Sequence, residues 1–339
     1  MVDDVMNSQY VILARLPAKP RKLCHMAWVL LVSECGITAL FLWCAIYAFR
    51  SRRYDGGRSL SLLMAAVLYA WLFEDLNVWQ GEGRGSYSYN LDFQVFFDRV
   101  PMFIVLAWAI ILWTAMRLSD AAPLRGPFRV LSDAALAVLL DLSFDVTAIR
   151  HRFWYWHGVG FNEAWFGVPA GNFFGWLYVS LAYSVVSRSL WHTVQWQRMA
   201  RWKHWLPILQ LLLVPLLSFV LYRALEGITN ITLERLGWTS DAAALGAFFT
   251  IYGVVVVVAA LGKSPAAVIQ PTIQPLARSA RVLVTWSRAT FHIFAIVGLA
   301  VLPPTGLLAK QKPALLLIAG LVWIGDVLYK RWLSVSHVK

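Results

Sequence analysis

The sequence predicts an all-α polytopic integral membrane helix bundle. Hydrophobic residues make up 59% of the 339 residues and charged residues only 14%, with a mean hydropathy of +0.61, too apolar for a soluble domain of this length. Apolar runs of about 20 residues, enough to cross a bilayer as a helix, recur along the whole chain. The basic residues gather in short connections between those runs, as in Arg50-Ser51-Arg52-Arg53.

The runs place about nine spans, within a range of eight to ten, near 27–49, 59–79, 100–116, 130–148, 171–190, 206–225, 243–262, 289–308 and 313–333, in one transmembrane domain covering 1–339. Residues 1–26 form a polar tail bearing Asp3, Asp4, Arg15, Lys19, Arg21 and Lys22. The run from Ala27 is long and has no small-residue cleavage site at its end, so it reads as a retained span. The Val254 to Val258 tract reads as lipid-facing helix. The Pro- and Arg-bearing stretch 263–288 reads as a loop or amphipathic segment in the membrane interface. Lys and Arg are more numerous on the side holding the C-terminus, which places that terminus in the cytoplasm by the positive-inside rule.

Several chemistries are excluded. The net charge of +12 is spread over inter-span connections, as orientation and lipid-headgroup contact require, and implies no nucleic-acid partner. Cys24, Cys35 and Cys44 make no CxxC, and the seven histidines make no HExxH and no cluster of close pairs such as a membrane di-iron site needs. No P-loop, Rossmann fingerprint or Gly-x-Ser-x-Gly elbow is present. Gly81, Gly83 and Gly85 alternate in a loop and resemble an anion nest only weakly.

The informative segment is 141–176. Ionisable residues inside a hydrocarbon-spanning helix are costly and mark cavities rather than the lipid face. Asp141 and Asp145 stand at i and i+4, so both carboxyls share one helix face and can couple their titrations. An aromatic, glycine-rich loop with Trp154, Trp156 and Trp165 follows, and the chain re-enters at Asn172 and Trp176. His151 and His157 flank that loop. The connections after spans two, four and six must share one membrane face if the intervening spans are real. They bring Glu74, Tyr87 and Tyr89, the 141–176 segment, and Glu226, Asn230 and Glu234 toward one pocket, expected to open toward the lipid.

Two carboxyls held in one low-dielectric site do not readily carry two charges, so Asp141 and Asp145 can share a proton and act as general acid. Adding water to a trisubstituted alkene needs such an acid, a site that tolerates a tertiary cation, and a placed water. Glu74 can position or deprotonate the water and Asn172 can orient it. The rings of Tyr87, Tyr89, Trp154, Trp156, Trp165 and Trp176 can stabilise the cation through their quadrupoles. No cofactor is required.

The pattern Glu74…Gly81…Gly85-x-Tyr87-x-Tyr89, Asp141-Leu142-x-x-Asp145, Trp154-x-Trp156 and Gly167-Val168-Pro169-x-x-Asn172-Phe173-x-Gly175-Trp176 resembles the carotenoid biosynthesis membrane-protein family that includes the carotenoid 1′,2′-hydratases. Gln80, Gly83, Arg84 and Val146 depart from that family's usual residues, and Asn77 stands where glycine is usual, which makes the first loop more polar. The resemblance implies hydration of a carotenoid or related isoprenoid drawn from the bilayer, alongside other isoprenoid-pathway enzymes.

Other readings fit the same residues. Capture of the cation by an internal alkene instead of water would make the protein a proton-initiated terpenoid cyclase. Asp141, Asp145, Glu226, Asn230 and Glu234 offer oxygen ligands suited to Mg²⁺ bridging an isoprenyl diphosphate, as in a prenyl transferase. A non-enzymatic isoprenoid-binding protein would use the acids only to hold helices together, paired with Arg150 or Arg152.

Overall fold

A computed structural model describes residues 20–55, 57–193, 205–262 and 278–334. Nine helices run through them: α1 (Pro20–Asp55), α2 (Arg58–Gln80), α3 (Met102–Asp120), α4 (Gly126–Arg150), α5 (Ala170–Thr193), α6 (Leu206–Arg235), α7 (Asp241–Leu261), α8 (Arg278–Val301) and α9 (Gly306–Ser334). Four short strands interrupt the connections: β1 (Tyr87–Tyr89), β2 (Phe96–Phe97), β3 (Val100–Pro101) and β4 (Trp154–Trp156).

Seven helices are long and apolar enough to cross a membrane, namely all but α4 and α5. Those two carry the polar residues of the 141–176 segment, and they can do so because neighbours shield them. α4 packs against α3, α5, α7, α8 and α9, and every residue from Ser132 to Ile149 except Leu139 is buried. α7, by contrast, is apolar all round and buries little beyond Phe248 and Ala259, the composition of a helix that faces lipid.

α2 and α6 lie side by side in the same direction. Ser61 donates to Gln210 at 2.7 Å near their starts, and Asn77 donates to the Tyr222 hydroxyl at 3.1 Å near the end of α2. α5 runs antiparallel to α2, as the Tyr69 hydroxyl bond to the Val179 carbonyl and the Tyr183 bond to the Leu62 carbonyl require. The ends of α2, α4 and α6 therefore share one face. A single side chain documents this: Arg84, from the α2–α3 connection, reaches Glu163 of the α4–α5 connection and Asp241 at the start of α7, both at 2.8 Å.

Several expected boundaries move. Helix α1 begins at Pro20, so 20–26 is helical and not tail, while 1–19 lie outside the described residues. Helix α6 runs ten residues beyond 225, so Glu226, Asn230 and Glu234 are helical rather than in a connection. Of the expected interfacial stretch, 263–277 lie outside the described residues, and from Arg278 onward it is the first half of α8. The reason is partner supply: Arg288, which made this stretch look like surface, is fully buried and donates its Nε to Asp326 of α9 at 2.9 Å and an Nη to the Leu136 carbonyl of α4. Lys330 adds a second cation 2.7 Å from Asp326. A charge inside a helix bundle is tolerated where an opposite charge meets it.

Candidate active site

The cap over the end of the bundle was read as a loop and is a β-ribbon. β1 pairs antiparallel with β4, with Tyr87 opposite Trp156, Ser88 opposite Tyr155 and Tyr89 opposite Trp154. Side chains alternate across a strand, so Tyr87, Tyr89, Trp154 and Trp156 share one face while Ser88 and the exposed Tyr155 take the other. That aromatic face forms one wall of a cavity of about 370 Å³, whose other walls come from α2, α3, α4, α5 and α6. The glycines serve the ribbon, not an anion nest. Gly83 and Gly85 have positive φ, and the Gly85 N–H donates to the His157 carbonyl at 2.8 Å. At Gly167, φ is +92° and a Cβ would crowd Phe161 and Ile149, so this turn before α5 requires glycine.

Asn172, in the first turn of α5, donates through Nδ2 to Asp141 at 2.9 Å and to Asp145 at 2.6 Å. One oxygen of each carboxyl, Asp141 Oδ1 and Asp145 Oδ1, is buried and accepts no hydrogen bond from the described residues. Neither ion-pairs with an arginine or lysine among the described residues. Arg150 instead donates to the Val146 and Phe166 carbonyls and to Gln311, and the exposed Arg152 sits at φ 57° outside the cavity. Asp145 and Asn172 line the cavity, whereas Asp141 stands behind them, completely buried. The expectation that all four polar residues border the pocket is corrected at Asp141: one helix turn separates the acids, and only the later one lies among the lining residues.

Glu74 is buried in the cavity wall and accepts hydrogen bonds from three donors through its two carboxylate oxygens. Tyr87 and Tyr89 donate to Oε2, the latter at 2.7 Å, and the Trp108 indole donates to Oε1 at 2.6 Å. Burial first, and the Glu74 charge second, hold the Tyr87 and Tyr89 hydroxyls well above the usual phenol range, so both remain donors at neutral pH. Trp108 also packs on Trp176, ring centroids 4.1 Å apart. Trp108 was missed at the sequence level. Its position inside a span, away from the interfaces where tryptophan normally gathers, was the available signal, because a buried indole N–H needs an acceptor.

Other expectations are corrected. Trp165 does not reach the cavity: its indole donates to the Leu142 carbonyl at 3.1 Å and packs on Phe249. His151 is hydrogen-bonded to the Gly298 carbonyl and His157 contributes backbone bonds to the ribbon, so neither lines the cavity. The oxygen-ligand set drawn for Mg²⁺ does not assemble. Glu226 and Asn230 border the cavity, but Glu226 is ion-paired with Arg223 at 2.6 Å, Glu234 is exposed two turns on, and Asp141 lies behind Asp145. No three His, Cys, Asp or Glu side chains among the described residues converge on one point. The most exposed lining side chains are Gln80, Arg223 and Asn230, so the mouth of the cavity is polar.

The fold and the site define a class of protein, a helical membrane bundle enclosing one cavity walled by aromatic rings and buried carboxyls. The family model for carotenoid biosynthesis proteins matches residues 28–239, and the chain belongs to that family. It is an integral membrane protein with a role in the carotenoid and isoprenoid pathway. The matched segment contains the whole candidate site and ends before α7. Comparison with curated proteins and with solved structures gave no match.

Proposed function

We propose that the protein hydrates a trisubstituted alkene of an isoprenoid by acid catalysis. The observation that carries this reading is the Asn172 amide joined to both Asp141 and Asp145 while one oxygen of each acid, buried, receives no donor from a neighbouring group. A proton shared between the carboxyls supplies the missing donor. Asp145, on the cavity wall, delivers it to the less substituted alkene carbon. The π pair forms the new C–H bond and leaves a tertiary cation on the other carbon. Trp108, Trp154 and Trp176 surround that position with π faces, and the Glu74 carboxylate, held by three neutral donors, adds a fixed negative charge. Water then adds through oxygen, and its surplus proton returns to the Asp pair. Glu74 acts here by its charge and by positioning the ribbon, not as the water's base.

The polar mouth favours hydration over cyclisation, because a cyclase must keep water from its cation. With the C-terminus cytoplasmic, the ribbon cap lies on the opposite side of the membrane, and the arginine-rich ends of α1, α3 and α5, including Arg52, Arg53, Arg117 and Arg188, lie on the cytoplasmic side. Mass analysis of lipid extracts from cells expressing the protein, with and without a carotenoid pathway, tests the reaction. A product heavier than its precursor by one water is expected. An isomer of unchanged mass means cyclisation, and loss of diphosphate from a precursor means prenyl transfer.

A further inference from the structure

The cavity has two chemically distinct ends. Around the acids its walls are apolar, with Phe73, Ile104, Trp108, Phe144 and Trp176 among them. Between about one and two turns further out it is ringed by polar side chains that hold one another in place. Arg223 donates to Glu226 at 2.6 Å, to Gln80 at 3.3 Å and to Asn77 at 3.5 Å, Asn77 is joined to Tyr222, and Asn230 completes the ring one turn beyond Glu226. Gln80 stands six residues beyond Glu74 on α2, about 9 Å at the helical rise per residue.

Resting on the hydration reading above, we infer that the substrate is an uncharged, oxygenated isoprenoid that enters alkene first and seats a hydroxyl or carbonyl in the collar of Asn77, Gln80, Arg223 and Asn230. The charge balance selects a neutral head. Among the described residues Arg223 is the one Lys or Arg side chain lining the cavity, it is already ion-paired with Glu226, and of the remaining carboxyls there Glu74 supplies the negative charge while Asp145 carries the shared proton. A diphosphate or carboxylate head would meet more negative than positive charge. Amide side chains offer both donors and acceptors, the complement of a hydroxyl or carbonyl. A pure hydrocarbon would strip water from the collar and return no hydrogen bond.

The test is equilibrium binding of three radiolabelled probes to the full chain in lipid nanodiscs: geranylgeraniol, its parent hydrocarbon without the hydroxyl, and geranylgeranyl diphosphate. The alcohol is expected to bind at least about tenfold more tightly than the hydrocarbon, since a hydrogen-bonding site rejects an analogue lacking the group it reads. Arg223→Met and Gln80→Leu are each expected to remove most of that preference, by weakening alcohol binding and by tightening hydrocarbon binding as the collar loses polar groups that must be dehydrated. Gln80 is exposed at a helix end, so its variant keeps the test valid if Arg223→Met fails to fold. Equal binding of alcohol and hydrocarbon, tighter binding of the diphosphate, or variants that weaken all three probes alike would overturn the inference. Preferential binding of the alcohol with no water addition would keep the collar and remove the acid chemistry, and turnover of the hydrocarbon without an alcohol preference would do the reverse.

Discussion

Asn172 and Asp145 are joined by a 2.6 Å hydrogen bond between helices α5 and α4. The same amide nitrogen holds Asp141 at 2.9 Å, so one neutral side chain sets the geometry of both acids. Removing it should misplace the proton donor without removing the acids. Asn172→Leu is expected to lower kcat strongly and to shift the pH dependence of kcat, which a purely structural defect would not move.

The acids themselves should differ. Asp145 borders the cavity and Asp141 does not. Replacing a general acid by an amide of the same shape typically removes about 10² to 10⁴ in rate, and Asp145→Asn should fall in that range. Asp141→Asn should retain more activity with an altered pH profile. Turnover near that of the wild type in Asp145→Asn would remove the pair from the mechanism.

Chelation separates the chemistries. Alkene protonation asks nothing of a divalent cation, whereas ionising a diphosphate requires one to offset the developing charge. Hydration in the presence of excess EDTA should proceed at the untreated rate. Activity lost with EDTA and restored by Mg²⁺ would favour the transferase reading.

Glu74 ties the cap to the bundle through Tyr87, Tyr89 and Trp108. Glu74→Leu leaves three buried donors without an acceptor, at about 1 to 3 kcal/mol for each unsatisfied group. A marked drop in Tm is expected. Trp108→Phe removes one donor only, so its loss of Tm should be smaller if the three bonds contribute separately, and equal losses would mean that the network acts as a single unit.

The Arg84 tie is exposed and should respond to solution conditions. The Arg84 hydrogen bond holds the Glu163 carboxyl below its ordinary range. A depressed carboxyl contributes above its unfolded value and loses that contribution as pH falls through the lower, folded value. The tie is thus complete at neutral pH and opens only in acid, and salt should weaken it because exposed pairs are screened. Hydrogen exchange in 81–89 and 154–167 should rise in Arg84→Gln at neutral pH and in the wild type on acidification.

The buried pair Arg288 and Asp326 lies beyond the family-matched segment. Truncating one partner of a buried ion pair typically costs about 3 to 5 kcal/mol. Asp326→Ala should destabilise the protein by that order in thermal or denaturant unfolding, with ligand binding by the folded fraction unchanged. An unaltered unfolding midpoint would show that α8 and α9 are held to α4 by apolar packing alone.

The sequence by itself determined the all-helical membrane class, because hydropathy and run length are one-dimensional properties. It also determined that Asp141 and Asp145 share a helix face, because a spacing of four residues is nearly one helical turn, and it carried the Gly167 to Trp176 block that marks the family. Tertiary structure decided the rest. The β-ribbon joins segments nearly seventy residues apart, and no local pattern in Tyr87-Ser88-Tyr89 states that Trp154-Tyr155-Trp156 will be its partner. Trp165 and Trp176 read alike in sequence, yet one indole turns to a backbone carbonyl and the other to the cavity. Helix spacing put both acids on one face, but only the packing of α4 against α5 chose Asp145 to meet the substrate space. The arginines of 278–288 pointed to a surface segment, and the interior charge of Asp326, thirty-eight residues after Arg288, gave that arginine a buried place in a helix. Each of these outcomes depends on which distant group satisfies a polar or aromatic side chain, and that pairing exists only once the helices have packed.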